Sequence, residues 1–437
     1  MLNFNYFKGL QYALCLAILG AGPVAQAFTD EIPITSCAEL QAIELNMTGN
    51  YYLAHDLDCA TYGLFDPIGT AELPFMGTLE GKDFTVSNLR IQNPAGENNQ
   101  DAALFRRMVA PAQVMNIQFN KVSVSGHDEI NRGLIAGVAV GAEFKNIDVT
   151  DLNINNGLST EKDYGVTGGI VGIAEGVYIL DVHIKGTVDI SRNGFGGGIA
   201  GIARAGTVIE YSSVAQLLTS GQNCENANSE CGFGGLVGLA GQFQPGALRE
   251  TTQGIEAVQQ NKRTAYDLVI KESYATGKII SHKNIGGLIG YVKSNLENPV
   301  HVKNSYTVVE LCRNQADCKY AGGLFGKVDK NVFLENVYVA GKVKPNGDWK
   351  TCGRAIVGYC HQYGNTRDGN ANIKLIEGAS SYFDTEATTK NKSGEGVSVG
   401  LTTAAMQGGP FSNWDPTIWV FEQGKYPSLK PYTPPTP

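Results

Sequence analysis

The stretch Gly232-Phe233-Gly234-Gly235-Leu236-Val237-Gly238-Leu239-Ala240 holds four glycines in nine residues, and its central pentapeptide recurs along the chain. Aligned on the last glycine, the copies are Gly133-Leu134-Ile135-Ala136-Gly137, Gly168-Gly169-Ile170-Val171-Gly172, Gly197-Gly198-Ile199-Ala200-Gly201, Gly234-Gly235-Leu236-Val237-Gly238, Gly286-Gly287-Leu288-Ile289-Gly290 and Gly322-Gly323-Leu324-Phe325-Gly326. Arg354-Ala355-Ile356-Val357-Gly358 is a degenerate seventh, and Ala103-Leu104-Phe105 is a frayed forerunner. The last glycines lie 35, 29, 37, 52, 36 and 32 residues apart. Self-similarity at periods of 20 to 50 residues marks a solenoid, a propeller or an array.

The third position of the motif is always Leu or Ile, and the seventh is Ala139, Ala174, Ala203, Ala240, Val292, Val328 or Cys360. Positions three, five and seven therefore read as one face of a strand, expected to point into a core. The other face loosens at position six, where Tyr291, Lys327 and Tyr359 appear, and is expected to be partly covered. A second motif follows each glycine motif. It reads Asn116-Ile117-Gln118-Phe119, Asn146-Ile147-Asp148-Val149, Asp181-Val182-His183-Ile184, Tyr211-Ser212-Ser213-Val214, Glu272-Ser273-Tyr274-Ala275, Asn304-Ser305-Tyr306-Thr307, Asn336-Val337-Tyr338-Val339 and Ser380-Ser381-Tyr382-Phe383. This is a half-buried strand, often entered through Asn.

Two short strands cannot bury an apolar face alone, but coils stacked along an axis can. The spacing thus predicts an all-β fold, a right-handed parallel β-helix, with glycines at corners that need positive φ or close backbone approach. A β-propeller needs about four strands per blade, and only two or three are read here. The uneven spacing also suits a solenoid, whose corners accept loops of any length. Gly196-Gly197-Gly198-Ile199-Ala200-Gly201 satisfies G-x-G-x-x-G, but no helical pattern follows it, so no dinucleotide site is expected.

Composition narrows the class. The 437 residues include 54 glycines, are 43% hydrophobic and 17% charged, and carry a net charge of −8. That is too apolar for a disordered chain, and no basic run suggests nucleic acid as a partner. Residues 1–27 stand apart: Lys8, an apolar run from Tyr12 to Leu19, then Ala25-Gln26-Ala27. They read as a secretory signal peptide, too short to span a bilayer. The mature chain is expected to hold no transmembrane segment and to be exported, to the extracellular space, the outer cell surface or the periplasm.

Removing Cys15 leaves eight cysteines, an even number in an exported chain, and disulfides become the default. Cys37 and Cys59 lie near the mature start. Cys224 and Cys231 flank one short loop and Cys312 and Cys318 another, leaving Cys352 and Cys360. The residues between that last pair read as extended, so either the chain folds back there or the partners differ. No Cys-x-x-Cys occurs, and neither a metal nor a cofactor is expected.

The ends need caps, because an open solenoid exposes sheet edges. Ser36-Cys37-Ala38-Glu39 is a capping box before a short helix through Ile43, which a Cys37–Cys59 disulfide would lock onto the strand Tyr51 to Asp58. At the other end Leu401 to Met406 reads as a brief helix, and Phe411, Trp414, Trp419 and Phe421 as apolar bulk closing the last coil. The predicted organisation is residues 28–100 as N-terminal cap and first coils, 101–365 as the repeat β-helix with an insertion at 241–266, 366–430 as C-terminal coil and cap, and 431–437 as a disordered tail.

These residues resemble the GLUG-motif family of exported bacterial proteins. The glycine pentapeptides match the motif that names it. Gly49-Asn50-Tyr51-Tyr52-Leu53-Ala54-His55-Asp56-Leu57-Asp58 is similar to the family's opening strand, and Pro67-Ile68-Gly69, Phe75 to Gly81 and Val86 to Ile91 continue the pattern. Leu401 to Met406, Trp414-Asp415 and Tyr426-Pro427-Ser428-Leu429 are similar to its closing segment. The resemblance implies a β-helix stalk used outside the cell; such repeats occur in adhesins and beside the protease domain of immunoglobulin-cleaving metallopeptidases. It implies no catalytic residues.

Signatures of chemistry are sparse. H-E-x-x-H is absent. The loop His127-Asp128-Glu129 and the acids Asp148, Asp151 and Asp163 are the candidates for acid–base work on a sugar, the route to a polysaccharide hydrolase or lyase. A better-ordered feature is the third position of the second motif, where Tyr274, Tyr306, Tyr338 and Tyr382 follow one another. In stacked coils they form a ladder, able to stack on sugar rings or receive a protein, or to pack beneath a loop and stabilise the sheet. The expected function is non-enzymatic adhesion or binding of a glycan or a host or cell-surface protein.

Overall fold

The computed structural model describes residues 31–93, 101–126, 131–156, 164–190, 193–220, 231–241, 267–281, 283–293, 298–312, 319–329, 331–343, 354–359, 372–390 and 396–434. The described residues from Glu31 onward form a parallel β-helix built on three stacked sheets of 21, eight and six strands. One complete coil shows how sequence becomes turn. Lys283–Gly286 joins the six-stranded sheet, Ile289–Val292 the eight-stranded sheet, and Val300–Lys303 and Tyr306–Leu311 the long sheet. There are four short strands per coil rather than two or three. Each pairs in parallel with its equivalent in the neighbouring coils, as Tyr274, Tyr306 and Tyr338 do, which separates this fold from a propeller of antiparallel blades.

The glycine motif is the bend between two of these sheets. The seven copies and the forerunner supply the eight strands of the second sheet, from Phe105–Val109 to Val357–Tyr359. The interior is lined by the third, fourth and seventh residues, for example Leu288, Ile289 and Val292, and not by the third, fifth and seventh. The alternation breaks because the bend occupies positions two and three and the strand begins at position four. The fifth residue instead faces the six-stranded sheet, which folds over the eight-stranded one. A Cβ on Gly290 would come under 3.0 Å from the backbone nitrogen of Phe233 in the preceding coil. A Cβ on Gly286 would collide with the carbonyl oxygen of Ile289 across the bend. Neither glycine has positive φ; these positions require glycine for close approach alone. The same overlay buries the sixth position. Val138, Ile202, Leu239 and Tyr291 are 0–5% exposed, and the last three pack with Val166 and Phe195.

The second motif is a bend within the long sheet. Its first residue adopts the left-handed conformation in Asn116, Asn146, Asp181, Tyr211, Glu272, Asn304 and Asn336, with φ between 45 and 57°. Asn and Asp tolerate that region best among residues with a side chain, which accounts for their recurrence. They also form rungs: the Asn146 amide donates to Asn116 Oδ1 at 2.9 Å. The next residue is a buried serine in three successive coils. Ser273 Oγ donates to the Lys271 carbonyl at 2.7 Å and accepts from the Ser212 amide at 3.1 Å; Ser212 and Ser305 do the same in their coils.

The ends are built differently from one another. Ser36 caps the helix Cys37–Gln41 by accepting from the Glu39 amide, Glu39 accepts from the Thr35 amide at 2.6 Å, and a turn of 3-10 helix through Leu45 follows. Cys37 and Cys59 are disulfide-bonded as expected, with Cα atoms 5.7 Å apart. Cys231 and Cys312 are also held in disulfides. Cys224, Cys318, Cys352 and Cys360 lie outside the described residues, as do residues 1–30, most of the insertion (242–266), His127, Asp128, Glu129 and Asp163. At the C-terminal end, the helix Thr403–Met406 forms with Thr402 as its cap. Phe411, Trp414, Trp419 and Phe421 pack on the outside of the long sheet, in an apolar cluster separate from the coil interior. Among the described residues no helix is long and apolar enough to cross a membrane.

Candidate functional site: the outer face of the long sheet

Register runs one outward column through nine coils: Thr85, Gln118, Asp148, His183, Ser213, Tyr274, Tyr306, Tyr338 and Tyr382. All but Thr85 are the third residue of the second motif. Strand pairing holds them one coil apart, near the 4.8 Å typical of strands, and alternation aims them all outward.

The aromatic half is a ladder. Tyr274 and Tyr306 stack with centroids 4.8 Å apart and planes 2° from parallel, and Tyr306 and Tyr338 repeat the step at 4.8 Å and 6°. The C-terminal segment roofs it. Phe411 stacks on Tyr382 at 4.6 Å, Trp419 lies 6.1 Å from both Tyr306 and Tyr338, and Trp414 and Trp419 meet at 4.3 Å. Tyr306 and Tyr338 are left 8% and 1% exposed. Burial, reinforced by neighbouring tyrosines, pushes both phenols well above their usual titration range. Tyr274 and Tyr382 are half-buried. Of the four tyrosines expected in a binding row, the structure thus brings all into line and leaves the middle two beneath the roof.

The roof runs against the direction of coil growth. Phe411 and Trp414 sit at the Tyr382 coil, and Pro427 accepts a hydrogen bond at the Tyr338 coil. From the proline-rich tail, Tyr432 reaches the ring of Tyr211, centroids 4.9 Å apart. At that coil Lys271 lies 5.6 Å above the Tyr211 ring and pairs with Glu210 at 2.5 Å and Glu272 at 3.5 Å. Tyr178 donates to Glu210 at 3.2 Å; burial and that carboxylate raise its phenol to about 12.

The polar half of the column is exposed at Gln118 and Asp148, half-buried at Thr85 and His183 and closed at Ser213, 8% exposed; of these residues sequence reading singles out Asp148 alone. His183 Nδ1 lies 2.8 Å from Ser213 Oγ, and Nε2 lies 3.0 Å from Asp181 Oδ1. The His183 side chain is 43% exposed and that of Asp181 20%. Asp148 is the exposed register neighbour of His183. The alignment that yields the tyrosine row already contains Asp148, His183 and Ser213 at the same position; reading across coils instead of along the chain is the signal that finds them. Asp148 and Asp151 both lie on the strand Glu143–Asn156. Among the described residues no three His, Cys, Asp or Glu side chains are grouped to hold a metal.

The fold and this face define a parallel β-helix with a partly roofed outer column, and comparison with known proteins adds local and distant likenesses. No protein-family model matches the chain. A segment of 115 residues is 35% identical to Halomucin of Haloquadratum walsbyi, covering 24% of this chain and 1% of that protein. The chain therefore spans about a hundredth of the length of the curated relative it matches. Among solved structures, a Bacteroides ovatus protein to which immunoglobulin A1 protease activity has been ascribed aligns over 92% of both chains, with 14% identity and a TM-score of 0.44. An IgA1 protease aligns over 81% of this chain and 21% of its own, with 17% identity and a TM-score of 0.43. Likenesses this distant say nothing of activity.

Proposed function

We propose that this is an exported surface repeat protein of the GLUG type that binds a glycan or a partner protein through the outer face of its long sheet, without catalysing a reaction. The observation that carries the reading is the outward column itself. Nine coils present equivalent side chains in register, and Thr85, Gln118, Asp148, His183 and Tyr274 are left at least partly uncovered beside a roofed aromatic ladder. Stacked coils make an extended, periodic surface of the kind that solenoids use for recognition. The disulfides fit an oxidising location, and the local match to Halomucin fits a repeat protein outside the cell.

A second reading, a polysaccharide hydrolase or lyase, draws on the Asp181–His183–Ser213 chain and its neighbour Asp148, which place an acid and a base within reach of one another. One experiment separates the two: purified protein lacking residues 1–27 is applied to a glycan array while release of reducing ends from the same glycans is followed. Retention without release is the expected outcome. Sustained release transfers the protein to the enzyme class, and retention of nothing on the array, with no partner captured on cell surfaces, removes the binding role.

A further inference from the structure

The first coils concentrate two features that the rest of the chain disperses. Residues 28–81 hold nine Asp and Glu and no Lys or Arg, whereas residues 82–437 hold 33 acidic and 33 basic side chains and are neutral. Of the six large hydrophobic side chains left exposed among the described residues, five lie in the same stretch: Ile32, Leu45, Leu64, Leu73 and Met76. The last four share one corner of the cap. Leu40 and Ile43 plug the coil interior at 0% exposure, and Leu45, beyond them in the 3-10 turn, is 84% exposed. Gln41 clamps that turn to the segment carrying Leu64: its amide donates to the Asp66 carbonyl at 3.0 Å, and its side-chain oxygen accepts from the Asp66 amide at 3.0 Å. The Met76 amide donates to the Met47 carbonyl at 2.8 Å, and the Met47 methyl and the Leu73 backbone both lie against Gly69. Leu64 and Leu73 are 54% and 65% exposed. Single exposed leucines are ordinary on a protein surface, whereas a connected group marks an interface.

Carboxylates surround this corner. Burial, then the charges of Asp66 and Glu44, raise the Tyr62 phenol, so both carboxylates stand close to that ring. Glu72, next to Leu73, is held by the Thr70 hydroxyl at 3.0 Å. All three acids are exposed, and among the described residues none pairs with a lysine, arginine or histidine. We infer that the corner is a docking surface for a second protein that presents aliphatic side chains ringed by lysine and arginine. The leucines supply apolar area that leaves water on contact, and the carboxylates meet the partner's cations and steer its approach. The sign of the charge decides the occupant. A second copy of the same corner, an anionic bilayer, a nucleic acid or an acidic glycan each brings like charge, and a neutral glycan leaves the carboxylates without partners. The surface uses no residue of the outward column and goes beyond the binding role of the long sheet.

The test titrates three short labelled peptides into the chain lacking residues 1–27, read by fluorescence anisotropy: one of leucine and lysine, one of glycine and lysine, and one of leucine and glutamate. The leucine–lysine peptide should bind, and the other two at least tenfold more weakly. Raising the salt from about 0.05 to 0.5 M should weaken binding tenfold or more. Leu45→Ser combined with Leu73→Ser should cost tenfold or more with an unaltered melting curve, both side chains being exposed. Glu44→Gln, Asp66→Asn and Glu72→Gln together should weaken binding and flatten its salt dependence. A benzophenone on the peptide should cross-link within residues 41–76. Equal binding of the glycine–lysine peptide would reduce the corner to bulk charge attraction and overturn the assignment. No binding of the leucine–lysine peptide, undiminished binding by the serine variant, or cross-links confined to the long sheet would overturn it too. So would a dimer in sedimentation that the serine variant dissolves, since the occupant would then be a second copy. The glycan array and this titration probe different surfaces, so each can fail alone.

Discussion

The Tyr338 hydroxyl donates to the carbonyl oxygen of Pro427 at 2.6 Å, joining residues 89 positions apart in the chain. Tyr338 is 1% exposed because Trp414, Trp419 and Tyr426 close over it. The C-terminal segment is thus a second, lateral core laid against the outside of the solenoid, and it carries the first prediction. Trp419, itself 1% exposed, contacts two ladder tyrosines. Trp419→Ala should destabilise the C-terminal coils by about 3–5 kcal/mol and raise binding of an apolar dye. Guanidinium unfolding should then show the C-terminal coils melting ahead of the N-terminal ones, since solenoids need not unfold in one step. A single unshifted transition would count against the roof's structural role.

The glycine motif makes a contrast between two kinds of glycine. Gly290→Ala pushes a methyl into the Phe233 backbone, which cannot yield without parting two sheets. Gly378 has φ of +77° but nothing within 4 Å of a built Cβ. Gly378→Ala should cost about 1 kcal/mol of left-handed strain. Gly290→Ala should cost at least 3 kcal/mol or abolish soluble expression. Comparable losses in the two variants would mean that close approach is not what position five demands.

The serine rungs make a third test. Ser273→Ala removes the acceptor of the buried Ser212 amide and leaves that donor unpaired. An orphaned buried donor costs about 1–3 kcal/mol. Hydrogen exchange at the Ser212 amide should accelerate selectively, whereas a loss spread evenly over the coils would argue against the rung.

Alkaline stability follows from the phenols. Burial, then the Glu210 charge, raises Tyr178 to about 12, and burial, then the Asp384 hydrogen bond, raises Tyr426 to about 12. Unfolded tyrosine titrates near 10. Between those values the folded state holds protons that the unfolded state has released, so stability is complete below pH 10 and falls as pH rises from 10 toward 12. Denaturant midpoints measured from pH 8 to 12 should stay level and then drop, and Tyr178→Phe should soften the decline. A midpoint that climbs above pH 10 would contradict the assignment.

The Cys37–Cys59 disulfide closes a loop across 22 residues. Chain-entropy arguments assign such a loop about 3 kcal/mol. Replacing both cysteines by alanine should loosen the N-terminal cap by that order and leave the Tyr338 region unaffected, as amide exchange in the two regions can report.

The solenoid was legible because its signal repeats. A pentapeptide seen seven times averages away local noise, and the third position's Leu or Ile does line the interior in every copy. What escaped is what a period-2 reading cannot contain. The fifth-position glycine looked like a gap in a core face, yet it marks where a neighbouring backbone passes, and a residue without a side chain does not say which surface it touches. Tyr291 at the sixth position looked only partly covered, but the six-stranded sheet folds over it. The tyrosine row was legible as a row; its roof was not, because Phe411 to Phe421 lie far along the chain and could as well have closed an end. The His183 contact to Ser213 needed cross-coil register before it became visible.

The backward course of the C-terminal segment bears on how the protein is made. Ribosomes deliver the coils in order, and each can dock on the one before it as it emerges. The ladder tyrosines of the later coils, however, receive their cover from residues translated after all of them. Until the segment from Met406 to Leu429 emerges, the nascent chain carries a greasy flank that only this segment can sheathe, so a chain cut short before Phe411 is a well-wound but adhesive product, prone to clumping and open to quality-control capture.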